Sequence, residues 1–112
     1  MSAPADLQQR MADLGRKYLD RTAAELRDLQ NLIAQIPAGD DTTYKNIEIL
    51  AHRIRGSGAM FNFSLISDAA FGIEMLAVDA KLGLHAERIA LQARFAAFAR
   101  LLEFVVQAAQ GK

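Results

Sequence analysis

Apolar residues recur along most of the chain at spacings of three and four, with charged or polar residues between them. This spacing places the apolar side chains on one face of an α-helix, and no alternating β-branched run competes with it. The clearest stripe is formed by Leu19, Thr22, Leu26, Leu29, Ile33 and Ile36. Pro37 and Gly39 follow directly, so we predict a long helix that ends near Ile36.

Three further helices are predicted toward the C-terminus. The second follows the stretch Asp40-Asp41-Thr42-Thr43, whose side chains suit an N-cap, and the third is expected to be capped by Ser64. The fourth begins after Gly83, a helix breaker. Their predicted core positions are Ile47, Leu50, Ala51, Ile54 and Phe61 in the second, Leu65, Ala69, Ile73, Leu76 and Ala80 in the third, and Leu84, Leu91, Phe95, Phe98, Leu102, Val105 and Ala109 in the fourth.

The loops between these helices are only a few residues long, which favours antiparallel neighbours. We therefore predict an all-α fold, an antiparallel up-down four-helix bundle, formed by one domain over residues 1–112. A short extra N-terminal helix is expected from Pro4 to Gly15, with a kink or junction at Gly15. Its apolar positions are Leu7, Met11 and Leu14.

Composition narrows the classes of function. Thirteen basic residues balance thirteen acidic ones, which argues against a nucleic-acid binder. The absence of cysteine excludes disulfides and thiolate metal sites. No apolar run approaches the ~18 residues that span a bilayer, and the N-terminal residues lack the apolar stretch of a secretory signal. We expect a soluble, cytoplasmic protein.

His52 departs from the pattern of a plain bundle. At ~100° per residue it falls opposite the apolar stripe of the second helix and should point into solvent. The residues that share this outer face are Lys45, Glu48, Ile49, Arg55, Gly56, Ala59 and Met60. Two of these residue types suit a site around a nucleophile: Gly56 would let another molecule approach the imidazole, and Arg55 supplies positive charge beside it.

The segment from Ala51 to Phe61 resembles the signature of histidine-containing phosphotransfer domains. In that signature a histidine is followed by an apolar residue, a basic residue, a glycine and a small residue, as His52 is followed by Ile54, Arg55, Gly56 and Ser57. The pair Ile73-Glu74 resembles the closing leucine-glutamate of the same family. One departure is Asn62, which stands where the family commonly has glycine; asparagine tolerates the left-handed backbone better than most residues.

The resemblance implies a role for each of these residues. His52 would carry the phosphoryl group on Nε2, Arg55 would help to hold the phosphoryl oxygens, and Glu74 would bind the other ring nitrogen and fix the tautomer. Gly56 would keep the partner's path open. The residues expected to contact the partner are Glu48, Ile49, Gly56, Ala59, Met60 and Phe63.

The resemblance also implies a phosphocarrier rather than an enzyme. Its partners would be a sensor (hybrid) histidine kinase and the receiver domain of a response regulator, and the Mg²⁺ would belong to the receiver. We expect no cofactor or metal site in this chain, because His85 has no acidic or thiol partner at metal-ligand spacing. We expect a monomer that binds neither nucleic acid nor membrane.

Two other functions fit the same residues. A helical-bundle adaptor could bind a partner through Ile49, Met60 and Phe63 without using His52. A degenerate phosphotransfer domain could dock to a receiver and never carry phosphate, although the retained His52, Arg55 and Gly56 argue against it.

Overall fold

The computed structural model describes residues 3–38, 40–83 and 87–111, which form four helices and no strand. The helices are α1 (Ala3–Ala34), α2 (Asp41–Met60), α3 (Ser64–Lys81) and α4 (Arg88–Ala109). Packing joins α1 to α2, α2 to α3, α3 to α4 and α4 back to α1, with α2 and α3 in the most extensive contact. The predicted all-α bundle is confirmed.

Polar contacts between the first and last helices show that they run in opposite directions. Gln92 of α4 donates to the carbonyl of Ile33, while Gln30, one turn earlier in α1, donates to Glu103. Moving backward along α1 therefore means moving forward along α4. This antiparallel arrangement closes the ring of four helices.

Most residues of the predicted apolar stripes meet in one core, but Leu65 and Ala109 are exposed, and Leu84 lies outside the described residues. The largest fully buried aliphatic and aromatic side chains of the core are Leu29, Ile36, Ile47, Ile54, Ile66, Ile73, Phe95, Leu102 and Val106. Burying a side chain of this size contributes about 1.5–3 kcal/mol. The core therefore fixes how each helix is rotated about its axis, including the rotation of α2.

The N-terminal region differs from the sequence prediction. In place of a short helix and a junction at Gly15, α1 continues through Gly15 without a break. A glycine inside a helix costs only ~1 kcal/mol, and the apolar spacing continues on both sides of it. Leu7, Met11 and Leu14 are nevertheless exposed, because the first turns of α1 lie beyond the packed part of the bundle.

The turn between α2 and α3 is fixed by aromatic rings. Phe61 and Phe63 both stack on the buried Tyr18 of α1, with ring centroids 4.8 and 5.2 Å from that of Tyr18. Between them, Asn62 has a φ of 65°, the left-handed conformation that asparagine tolerates. The turn therefore forms with asparagine at this position.

The ends of the helices were predicted with mixed success. Within the predicted capping stretch, Asp40 is the residue that caps α2: its side chain accepts a hydrogen bond of 2.9 Å from the backbone N–H of Thr42. The predicted cap at Ser64 is wrong, since Phe63 occupies the N-cap position and makes no side-chain cap. The first helical hydrogen bond of α3 runs from the backbone N–H of Ser67 to the carbonyl of Phe63.

Candidate functional site

His52 lies on the outer face of α2, as the helical periodicity predicted. Ala51 and Ile54 are fully buried in the core. Because they fix which side of α2 faces the core, the side that carries His52 faces solvent. The His52 side chain is 69% exposed. An incoming molecule therefore has direct access to the imidazole.

Glu74 of α3 holds one ring nitrogen of His52. Its Oε2 lies 2.7 Å from Nδ1, and its side chain is only 12% exposed. An ionised carboxylate only accepts hydrogen bonds, so the contact favours the hydrogen on Nδ1. In the neutral ring this tautomer leaves a lone pair on Nε2, the nitrogen not engaged by Glu74.

The other oxygen of the same carboxylate binds Arg55. Arg55 Nη1 donates to Glu74 Oε1 over 3.0 Å, and the guanidinium carbon lies 4.3 Å from the centroid of the Phe71 ring. Arg55 therefore does not extend freely along the surface. It is fixed beside His52 through a shared carboxylate.

Two opposing effects act on the pKa of Glu74. Burial raises the pKa of this carboxyl group, whereas the hydrogen bonds from Arg55 and His52, with their charges, lower it. The lowering prevails, and the pKa of Glu74 lies below its usual value. The carboxylate therefore stays ionised at neutral pH, as its role as a double acceptor requires.

The two glycines that follow His52 serve different purposes. A Cβ atom on Gly56 would meet no atom within 4 Å, so this position is an open gap on the outer face. A Cβ atom on Gly58 would lie 3.0 Å from the backbone nitrogen of Ser67. Gly58 thus allows α2 and α3 to pack closely, while Gly56 leaves space near the imidazole.

The predicted docking residues do not all lie together. His52 and Glu74 line one shallow depression with Lys45, Glu48 and Ile49. Ala59 lines a separate depression with residues of the α2–α3 turn, and Phe63 lines a third, between that turn and α4. The structure therefore brings only Glu48 and Ile49 into the depression that contains His52.

The residues predicted to contact the partner differ in how exposed their side chains are. Ile49, Ala59 and Met60 are exposed. Phe63 is half-buried and its ring stacks on Tyr18, so it contributes mainly to the fold. Glu48 is also half-buried and forms an ion pair with Lys81 at the end of α3.

Sequence reasoning missed two residues beside the site. Phe71 lies against the guanidinium of Arg55, and Lys81 pairs with Glu48. Both belong to α3 and reach residues of α2. For Phe71, the available signal was its spacing from Glu74. Two residues three positions apart lie next to each other on one face of a helix.

Within residues 3–38, 40–83 and 87–111, no three histidine, cysteine or acidic side chains converge on a point where a metal ion could bind. His85 lies outside the described residues. Among the described helices, none is long and apolar enough to cross a membrane.

Fold and site together define a helical bundle that presents an exposed histidine, oriented by a buried carboxylate and flanked by a guanidinium. The family model for the Hpt domain matches residues 13–110, nearly the whole chain. The chain therefore belongs to the Hpt domain family, whose members serve histidine phosphotransfer in phosphorelays as phosphocarriers. Searches of curated proteins and of solved structures found no match.

Proposed function

We propose that the protein accepts a phosphoryl group on His52 Nε2 and exchanges it with the aspartate of a receiver domain. The observation that carries this proposal is the 2.7 Å contact between Glu74 Oε2 and His52 Nδ1. It gives an exposed imidazole the tautomer whose outward nitrogen is a nucleophile. A surface histidine without such a partner would populate both tautomers and many orientations.

The transfer step follows from this geometry. The lone pair of Nε2 attacks the phosphorus of the receiver's aspartyl phosphate, an N–P bond forms, and the P–O bond to the aspartate breaks. The electrons of that bond stay on the regenerated carboxylate. The reverse reaction returns the phosphoryl group to the aspartate, so the same site serves both directions.

Charge neutralisation is divided between the two proteins. Arg55 lies beside His52 and can donate to phosphoryl oxygens with the N–H groups that Glu74 does not use. The Mg²⁺ that phosphoryl transfer commonly requires would be held by the receiver, whose carboxylates bind it. The chain is then a carrier that a sensor kinase or receiver phosphorylates, not a kinase itself.

Docking would centre on the outer face of α2. Gly56 leaves open space there, and Ile49 offers apolar surface in the depression that contains His52. We expect a transient encounter with a modest interface. This agrees with a carrier that must release each partner after transfer.

The test is transfer of ³²P-labelled phosphoryl group from a phosphorylated receiver domain with Mg²⁺. We expect acid-labile, alkali-stable label on the wild type and none on His52→Gln. His85→Gln is the matched control, because the chain has two histidines and this variant retains His52. Label lost from His85→Gln instead, or no label on the folded wild type from any of several receivers, would contradict the proposal and favour an adaptor.

A further inference from the structure

One face of α3 contacts Arg55 at three points. Ser67 Oγ donates to the Arg55 carbonyl over 2.9 Å, the Phe71 ring lies 4.3 Å from the guanidinium carbon, and Glu74 Oε1 accepts from Nη1 over 3.0 Å. These residues are four and three positions apart, which places them in a row along one helix face. Backbone and side chain of Arg55 are therefore both held by α3.

The contact with Phe71 limits how the guanidinium of Arg55 can turn. A hydrogen bond to Glu74 fixes one N–H group but lets the planar group rotate about that bond. A cation over an aromatic face is attracted to the ring, which restricts this rotation. The guanidinium has five N–H donors in a rigid fork, so fixing its plane fixes where the unused donors point.

The orientation matters because Glu74 also binds His52. The imidazole of His52 and the guanidinium of Arg55 are hydrogen-bonded to the two oxygens of the same buried carboxylate. Once the guanidinium can no longer rotate, the position of one group relative to the other is therefore set. Groups that are oriented before the phosphoryl group arrives need no reorganisation during transfer.

We propose that Phe71 is a positioning residue for phosphoryl transfer, which acts by holding the Arg55 guanidinium in place beside His52. The proposal rests on the proposed function of His52 and adds a residue of α3 to it. Phe71 is 42% exposed, so it does not owe its position to the core alone. Its effect on transfer should therefore depend on Arg55.

The test is a double-mutant cycle of Phe71→Leu and Arg55→Gln, followed as single-turnover transfer from a phosphorylated receiver. We expect Phe71→Leu alone to lower the maximal rate by about threefold to tenfold, the range expected for a partly exposed cation–π contact. In the Arg55→Gln background the same substitution should have no further effect. Phe71→Tyr, which keeps the aromatic face, should retain the wild-type rate.

Two further measurements separate positioning from other roles. The receiver concentration that gives half the maximal rate should not change in Phe71→Leu, whereas a direct contact with the receiver would raise it. Met75→Ala is the matched control, since Met75 is also an apolar residue of α3 with 42% exposure. It should transfer at the wild-type rate, and circular dichroism should show equal helix content in all variants.

An additive loss in the cycle, a raised half-saturating concentration in Phe71→Leu, or an equal slowing in Met75→Ala would each refute the role of Phe71. These results would leave the proposed function intact, because the wild type would still carry phosphate on His52. If the wild type accepted no phosphate, the proposed function would fail and the role of Phe71 with it.

Discussion

Glu74 and His52 connect the interior of the bundle to its surface. The carboxylate is almost completely buried between α2 and α3, whereas the imidazole that it binds at Nδ1 is largely exposed. Because the core fixes both helices, the position of the carboxylate is also fixed. The packing of the bundle is in this way transmitted to the orientation of a surface side chain.

Removal of the carboxylate should therefore slow transfer without unfolding the chain. We expect Glu74→Ala to lower the single-turnover rate of His52 phosphorylation by roughly 10- to 100-fold, since hydrogen bonds to charged groups contribute about 1.5–3 kcal/mol. Glu74→Gln keeps an acceptor for Nδ1 and should lose less. A Glu74→Ala variant of unchanged helix content that transfers as fast as wild type would contradict this role.

The lowered pKa of Glu74 also predicts how stability depends on pH. A carboxyl group with a lower pKa in the folded state stabilises the fold above its unfolded pKa, and this contribution is lost as pH falls through the folded pKa. We expect the wild type to lose stability relative to Glu74→Gln on acidification from about pH 5 toward pH 3. Urea unfolding of both proteins across this range measures the difference. A difference that does not vary with pH would exclude the predicted linkage.

Much of the fold could be predicted because helical periodicity is a local property. The stripe through Ile47, Leu50 and Ile54 was enough to place His52 on the outer face, and burial of these residues agrees with it. Gly15 shows the limit of local rules. A glycine lowers helix propensity by only ~1 kcal/mol, and an apolar spacing that continues across it outweighs that cost.

The parts of the site that were missed depend on contacts between helices. The interactions of Arg55 with Phe71 and Glu74 require the relative rotation and offset of α2 and α3, which no single helix encodes. The same holds for Phe63. Its stacking on Tyr18 joins the α2–α3 turn to α1, and no local pattern around Phe63 indicates that contact.

The contrast between Gly56 and Gly58 gives a prediction with a built-in control. Gly58→Ala should destabilise the fold by about 1–3 kcal/mol, because its Cβ atom would press on the backbone of Ser67. Gly56→Ala places a methyl group in open space within a helix and should stabilise by up to about 1 kcal/mol. Urea unfolding of the two variants and the wild type measures these changes in the free energy of unfolding. Equal effects of the two substitutions would show that helix propensity, not helix packing, governs both positions.

The depression around His52 can be tested as a docking surface with two residues of similar exposure. Ile49 is 49% exposed and lies in that depression, whereas Leu101 is 51% exposed on α4, which packs on α1 and α3. Ile49→Ser should raise the receiver concentration for half-maximal transfer by roughly tenfold, since a contact residue near the centre of an interface contributes about 1–2 kcal/mol. Leu101→Ser should leave that concentration unchanged. If Leu101→Ser weakened the encounter and Ile49→Ser did not, the receiver would bind on α4, which over the described residues does not pack on the helix that carries His52, and the proposed docking surface would be wrong.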